Sequence, residues 1–412
     1  MPGSCWFSSQ SNGTPIAQGA RLMRASFAEF LFFLMAFSLG GCGGSARAVA
    51  GDASANDAGI DANADSGACP AGSDPIFDCH GVFGYCCPQG ANCDPPSCAT
   101  DSGAAEEAEA SAGPLAHSVV LFGGDGPTFF TDTWEWAGSN WLERNVSGPP
   151  PRYEHAMAGI NGQVILFGGQ GESGTLGDTW QWDGTSWKQL NIPGPTPRFG
   201  HEMTTVGNKI VLFGGTTDTG DLCDTWEFDG TSWTSTGATL TTGLHCVGHS
   251  IAALNGIVYL FGGVGAESDT WAYDGASWKQ VASTGPVGRA WAAMATAQWC
   301  CTEQPPPPSI ILFGGQVNAN DILSDTWQWD GTTWKQLVAS GLANQPPPRW
   351  DPGLAMFQGP PAQQGLVLFG GAQGIPPGGW LGDTWVFGMP GVWTQTNISS
   401  PPARQVYTMA AR

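Results

Sequence analysis

The sequence carries little charge, and basic residues are its scarcest component. Asp, Glu, Lys and Arg together make up 12% of the 412 residues, and only four residues are Lys. The formal net charge is −21. Because proteins bind a nucleic-acid backbone through clustered Lys and Arg, this balance argues against a nucleic-acid partner.

Several enzyme signatures are also missing. No Gly-x-Ser-x-Gly occurs, and His201-Glu202 lacks the second His of a zinc-protease helix because Thr205 takes that place. No Cys-x-x-Cys pair is present, and His80 stands alone among the N-terminal cysteines. We therefore expect no cofactor, no metal site and no catalytic residue.

Gly (61), Pro (31) and Trp (20), by contrast, are abundant. This composition favours many short strands joined by tight turns over a helical protein.

The N-terminus has the features of an export signal. Arg21 and Arg24 precede an apolar run over 30–39, which is too short to span a bilayer. The tetrad Leu-Gly-Gly-Cys that follows resembles the bacterial lipobox, and this resemblance implies a lipidated Cys42 and an outer-membrane location. A simple signal peptide cut nearby is the alternative. We expect membrane contact through this anchor alone.

Ten of the twelve cysteines remain when Cys5 and Cys42 are set aside, an even number that suits an oxidising compartment. A segment of 30 residues that holds six of them is too small to fold without disulfides. These six resemble the inhibitor cystine-knot framework, with the pairing left open: Cys69, Cys79, Cys86, Cys87, Cys93 and Cys98.

Two acidic spacers flank this cysteine-rich segment. Residues 43–114 contain eleven acidic residues and one basic residue, Arg47, so the spacers are solvated and self-repelling. The predicted organisation is a signal peptide (1–41), a lipidated Cys and tether (42–68), a knot-like mini-domain (69–98), an acidic linker (99–114) and a repeat domain (115–412).

A three-part signature recurs six times in the repeat domain. It consists of Leu-Phe-Gly-Gly, then Asp-Thr-Trp, then a further Trp. The tetrads begin at Leu121, Leu166, Leu212, Leu260, Leu312 and Leu368. The triplets begin at Asp132, Asp178, Asp224, Asp269, Asp325 and Asp383. A period of this length indicates a propeller or solenoid.

Each part of the signature has a structural reason. The apolar run that ends in Gly-Gly predicts an inner strand, and the glycines permit positive φ where a side chain would meet the neighbouring blade. Asp183-Gly184 and its counterparts predict a hairpin into the outermost strand, and Asn161-Gly162 predicts an earlier turn.

Paired Gly, a spaced aromatic and a Trp are the pattern of kelch repeats, and residues 115–412 resemble that family. The resemblance implies an all-β fold, a six-bladed kelch-type β-propeller with four strands per blade. Residues 402–409 align with 151–157 of the second unit, so we expect the C-terminal strand to complete the first blade and close the ring.

The loops between blades carry a recurrent arginine, and kelch-like domains usually bind partners on that face. The predicted ligand-binding residues are Arg152, Arg198, Arg289, Arg349 and Arg404, with the aromatic residues Tyr153, Phe199 and Trp350. A ring of guanidinium groups could hold a carboxylate or phosphate. The competing and favoured interpretation is that each Arg pairs with the Asp of an Asp-Thr-Trp triplet.

Cys246 holds the arginine position in the fourth blade, and we expect it to pair with Cys223. The state of Cys300 and Cys301 is left open. His155, His201 and His249 share one register with Tyr407, which favours a repeated structural hydrogen bond.

These features predict a non-catalytic binding module that recognises a protein or a glycan. Two alternatives remain, a copper radical oxidase similar to galactose oxidase and a purely structural envelope protein.

Overall fold

The computed structural model describes residues 73–77, 83–88, 115, 117–240, 246–265, 268–299, 305–318, 320–360, 363–374, 379–405 and 407–412. The predictions for the signal peptide, for both acidic spacers and for Cys42, Cys69, Cys79, Cys93, Cys98, Cys300 and Cys301 lie outside these residues. Cys86 and Cys87 lie on a described strand. Over the described ranges, no helix is long and apolar enough to cross a membrane.

The described strands are, in chain order, β1 (Ser73–Phe77), β2 (Phe83–Pro88), β3 (Val119–Phe122), β4 (Thr133–Trp136), β5 (Trp141–Arg144), β6 (Ala156–Ile160), β7 (Gln163–Gly171), β8 (Gly174–Trp182), β9 (Trp187–Leu190), β10 (Phe199–Val206), β11 (Lys209–Thr217), β12 (Gly220–Asp221), β13 (Asp224–Phe228), β14 (Trp233–Thr239), β15 (His249–Leu254), β16 (Ile257–Gly262), β17 (Thr270–Tyr273), β18 (Trp278–Ala282), β19 (Ala293–Ala297), β20 (Ser309–Phe313), β21 (Gln316–Asn318), β22 (Asp321–Ile322), β23 (Thr326–Trp329), β24 (Trp334–Val338), β25 (Gly353–Phe357), β26 (Gly365–Phe369), β27 (Thr384–Gly388), β28 (Val392–Thr396) and β29 (Thr408–Ala411).

Six antiparallel sheets form the blades of a propeller, as predicted. Blades 2, 4 and 6 are β6–β9, β15–β18 and β25–β28. Blade 3 is β10-β11-β13-β14 with the short β12, and blade 5 is β19-β20-β23-β24. Blade 1 is β29-β3-β4-β5, with Met409 opposite Leu121. The C-terminal strand therefore closes the ring, and this prediction is confirmed.

The hydrophobic core lies between adjacent blades. The second strand of each blade is almost wholly buried because both of its faces meet a neighbouring sheet, as in Val119–Phe122. Phe122 of blade 1 packs edge-on against Trp187 of blade 2, with ring centroids 5.3 Å apart. Each blade therefore completes its core with side chains of the next one.

The glycine pairs allow this close approach of the blades. Gly123 has a φ of +64°, and a Cβ at this position would lie 2.9 Å from the carbonyl oxygen of Arg152 in the next blade. That separation is shorter than a Cβ can tolerate, so a larger residue would push the inter-blade loop away.

Candidate functional site: the loop face of the propeller

The loops between blades and the loops between second and third strands lie on one face, and the recurrent arginines connect them. In blade 5, the Arg289 guanidinium donates to Asp325 Oδ1 (2.5 Å) and Oδ2 (3.0 Å) and to the Gly314 carbonyl (2.9 Å). The same bidentate pair occurs in four other blades: Arg152–Asp178, Arg198–Asp224, Arg349–Asp383 and Arg404–Asp132. We call each such pair a clasp.

All five clasp arginines are buried, with at most 1% of each residue exposed. Burial alone would raise the pKa of Asp178, but the hydrogen bonds and charge of Arg152 lower it below its ordinary value. The guanidinium groups therefore have no surface left with which to bind a ligand. This corrects the predicted ligand ring, because the arginines fix the inter-blade loops to the blades.

The predicted aromatic residues occupy three different environments. Phe199 is buried, whereas Tyr153 is half-buried and packs against Phe129 of blade 1, with centroids 5.1 Å apart and the rings tilted by 40°. Trp350 is half-buried and lies 5.8 Å from the ring of Trp291. The Trp pair therefore keeps partial access to solvent on the loop face.

Backbone hydrogen bonds link several neighbouring inter-blade loops where this face meets the propeller axis, a place that we call the channel mouth. Two residues after five of the six arginine register positions φ is positive, at Glu154 (51°), Gly200 (65°), Gly248 (71°), Trp291 (52°) and Asp351 (55°). We call these five residues the collar. The amide of Trp291 donates to the Gly248 carbonyl (2.7 Å), and the amide of Asp351 donates to the Trp291 carbonyl (2.7 Å). Blades 4, 5 and 6 are therefore linked directly at the channel mouth, and the amide of Gly200 links blades 2 and 3 by donating to the Glu154 carbonyl (2.9 Å).

Sequence reasoning missed the collar, although a signal was present. Two of the five copies are Gly, which indicates a backbone position that needs positive φ. Aligning the remaining copies on Gly200 and Gly248 would have identified Glu154, Trp291 and Asp351 as residues held in a costly conformation.

Carboxylates converge on the collar. Burial, followed by the charges of Asp351 and Asp125, raises the pKa of Glu154 to about 8. Burial and the charge of Asp351 likewise raise the pKa of Glu202 to about 8. Both glutamates keep partial contact with solvent. Both glutamates therefore hold a proton near pH 7, and a cation that binds at the channel mouth would release it by favouring the charged carboxylates.

The three histidines that share a register pack as a repeated structural feature. His155, His201 and His249 lie edge-on against the Phe of the preceding Leu-Phe-Gly-Gly tetrad, with centroids 5.8, 5.5 and 5.1 Å apart. Burial, then the charge of Arg152, lowers the pKa of His155 to about 3. Tyr407 holds the same register in blade 1 and donates to the Phe369 carbonyl. Within the described residues, no group of three His, Cys, Asp or Glu could hold a metal ion.

Blade 4 lacks a clasp and contains a disulfide instead. Cys246 stands where the other blades have Arg, and it is bonded to Cys223 of blade 3 with the Cα atoms 5.3 Å apart. Its carbonyl still accepts from the amide of Gly215 (2.6 Å), as each arginine carbonyl does from the glycine pair of its preceding blade. The disulfide therefore holds the inter-blade loop that a clasp holds elsewhere.

Comparison with known proteins agrees with this architecture. Residues 98–263 match a family model described as the KLHDC2/KLHL20/DRC7 Kelch-repeats domain. The match includes β3 to β5 of blade 1, all of blades 2 and 3, and the first two strands of blade 4. The propeller is of the kelch type. Kelch propellers are generic protein-interaction modules. No curated protein matches the chain.

Proposed function

We propose that the propeller is the non-catalytic binding module of an exported, lipid-anchored chain, and that it recognises a protein partner at its channel mouth on the loop face. The observation that carries this proposal is the collar. Glu154, Trp291 and Asp351 hold positive φ at positions where Gly200 and Gly248 serve in other blades.

The conformational free energy that positive φ costs at the collar residues favours a binding role. A residue other than Gly in this conformation costs roughly 1–3 kcal/mol. Gly would remove that cost at each position, so the side chains of Glu154, Trp291 and Asp351 must supply something that folding does not require. Strain of this kind concentrates at ligand sites, where the surrounding structure enforces it.

The chemistry of the mouth suits a basic partner. Asp351 follows Trp350 of the ring pair Trp291–Trp350, and its charge acts on Glu154 and Glu202, which would lose their protons when a cation binds. Aromatic faces and carboxylates both attract Lys and Arg side chains. The net charge of −21 would speed the approach of a positively charged protein.

Export is supported by the disulfide and by the N-terminal sequence. Disulfides persist in oxidising compartments, so the Cys223–Cys246 bond fits a chain that leaves the cytoplasm. Labelling cells with radioactive palmitate tests the anchor. We expect label in the wild-type chain and none in Cys42→Ala, and equal labelling of both would contradict the assignment.

Peptide selection tests the site itself. Peptides that bind the full chain would be selected from a displayed random library and retested against Trp350→Ala and Asp351→Gly. We expect basic peptides that lose binding to both variants. Asp351→Gly should also be slightly more stable than wild type, because Gly relieves the strain at this position.

Asn208→Ala is the matched control, since Asn208 lies exposed in the turn between β10 and β11 on the opposite face. Peptides that bind all variants equally would contradict the proposal. A parallel glycan array in which binding depends on Trp350 would contradict the choice of a protein over a glycan.

A further inference from the structure

The five clasps show which chemical group each Asp-Thr-Trp triplet binds. In blade 2, Asp178 accepts from both terminal nitrogens of Arg152, at 2.7 and 2.9 Å. The indole N–H of Trp180, two residues further on, also donates to Asp178 Oδ2 (2.6 Å). The same indole bond is present in the other four clasped blades. The triplet is therefore a receptor for a planar guanidinium group, with the indole fixing the carboxylate.

Blade 4 retains this receptor without an arginine. Asp269 and Trp271 hold the triplet positions, while Cys246 stands at the arginine position and its sulfur is used in the disulfide. Among the described residues, no hydrogen bond or ion pair engages the half-buried Asp269 carboxylate. The indole N–H of Trp271 is buried and has no acceptor.

The other contacts of the blade 4 triplet are the same as in the clasped blades, so the difference is confined to the Asp269 carboxylate and the Trp271 indole N–H. Thr270, between the two triplet residues, still accepts from the indole N–H of Trp334 in blade 5 (2.8 Å). Trp271 keeps its strand pairing with Leu260. The backbone that carries Asp269 and Trp271 is therefore held as in the clasped blades, and two contacts are lacking, the guanidinium and the indole–carboxylate hydrogen bond.

The described arginines outside the clasps are engaged elsewhere. Arg144 pairs with Glu135, and Arg412 donates to the carbonyls of Gly162, Leu115 and Asp183. Neither can supply the blade 4 site.

We infer that Asp269 and Trp271 form a binding site for the guanidinium group of an arginine side chain that belongs to a protein partner. The guanidinium binds the Asp269 carboxylate through two N–H donors, and the carboxylate then accepts the Trp271 indole N–H. Both unpaired groups are thereby satisfied. A lysine ammonium cannot reproduce the planar, bidentate contact. This inference rests on the proposed function and names one chemical feature of its partner.

The Trp271 indole N–H signal in NMR provides the direct test on the full, oxidised chain. The probe is N-acetyl-arginine methylamide, with the uncharged citrulline analogue as its control. We expect the signal to shift on titration, with a dissociation constant on the order of 10–100 mM, the range that the charge-assisted hydrogen bonds of one guanidinium–carboxylate pair provide. Asp269→Asn should weaken binding at least tenfold.

Glu172→Gln is the matched control, because Glu172 is an exposed acid in a loop of the same face. It should bind the arginine probe like wild type. Equal binding to Asp269→Asn and wild type, or equal binding of the citrulline probe, would overturn the inference.

Restoring the missing arginine gives a second, independent test. The double variant Cys223→Ser with Cys246→Arg is compared with Cys223→Ser with Cys246→Ser, so that neither has the disulfide. We expect the arginine variant to melt at a higher temperature, to shift the Trp271 indole signal and to lose binding of the probe. No difference between the two would overturn the inference. Collar-dependent peptide binding would survive that result, so the two proposals can fail separately.

Discussion

Blade 4 resembles the other five blades in the hydrogen bond that its outer Trp makes, and it differs from them in how its inter-blade loop is fixed. In all six blades the outer Trp donates its indole N–H to the Thr of the Asp-Thr-Trp triplet in the preceding blade. The six bonds are Trp141–Thr384, Trp187–Thr133, Trp233–Thr179, Trp278–Thr225, Trp334–Thr270 and Trp393–Thr326. The clasp, in contrast, is present in five blades only.

The Trp–Thr bond is thus common to all six blades, whereas the clasp is replaced in one of them. The Trp–Thr bond joins neighbouring blades, so losing one would open a seam. The clasp joins an inter-blade loop to the blade that follows it. In blade 4 a disulfide from Cys246 back to Cys223 fixes that loop to the preceding blade, so the loop does not use Asp269.

The largest expected effect comes from breaking the most buried clasp. Arg289→Ala leaves Asp325, whose side chain is 7% exposed, as an uncompensated buried charge. Breaking a buried pair in this way costs about 3–5 kcal/mol. Asp269→Ala in blade 4 should change the free energy of unfolding by less than about 0.5 kcal/mol, since no partner is lost. Urea denaturation of both variants measures the contrast, and equal losses would refute the assigned roles.

Removing the disulfide is expected to have the next largest effect. Its two cysteines are 23 residues apart, and loop-closure entropy for a loop of that size corresponds to about 3 kcal/mol. Cys223→Ala with Cys246→Ala should therefore unfold at a lower urea concentration. Dithiothreitol should destabilise the wild type by a similar amount and leave the double variant unchanged. A dithiothreitol effect of equal size in the double variant would assign the loss to another disulfide.

A third comparison concerns one register position of the inner strand. Blade 3 has Glu202 there, whereas blade 4 has Ser250, which donates to the Ala292 carbonyl (2.6 Å). Burial, then the charge of Asp351, raises the pKa of Glu202 to about 8. Folding therefore favours the protonated form, and stability should fall as pH rises from about 4.5 through 8.

Glu202→Gln should remove this dependence. We expect the variant to match the wild type at pH 4.5 and to be more stable by about 1–2 kcal/mol at pH 9, allowing for partial solvent screening. Thermal unfolding across this pH range measures the effect. A wild type that is more stable than the variant at pH 9 would contradict the raised pKa.

The sequence allowed the fold to be predicted, because a repeated signature reports the same local structure six times. The alignment of residues 402–409 with the second unit was enough to predict closure by β29. The register of Arg with Asp was enough to state the clasp as an alternative. The collar was predictable only in part. Its Gly copies indicate a positive φ, but the bonds that enforce this conformation, such as Asp351 to Trp291, form only between completed blades.

The smallest expected loss of stability comes from removing one Trp–Thr hydrogen bond, and it should be the same in blade 4 as in a blade that has a clasp. Thr179→Val and Thr270→Val each remove the acceptor of one buried or partly buried indole N–H while keeping the shape of the side chain. One lost hydrogen bond of this kind costs about 1–2 kcal/mol.

Urea denaturation of the two valine variants in parallel measures whether these costs are equal. Equal losses of stability would show that the Trp–Thr bond contributes the same amount whether the inter-blade loop is held by a clasp or by the disulfide. A markedly larger loss for Thr270→Val would mean that blade 4 depends on its outer bond because it has no arginine. The Trp–Thr bond and the contact that holds the inter-blade loop would then be energetically coupled, and the disulfide would hold this loop less firmly than a clasp does.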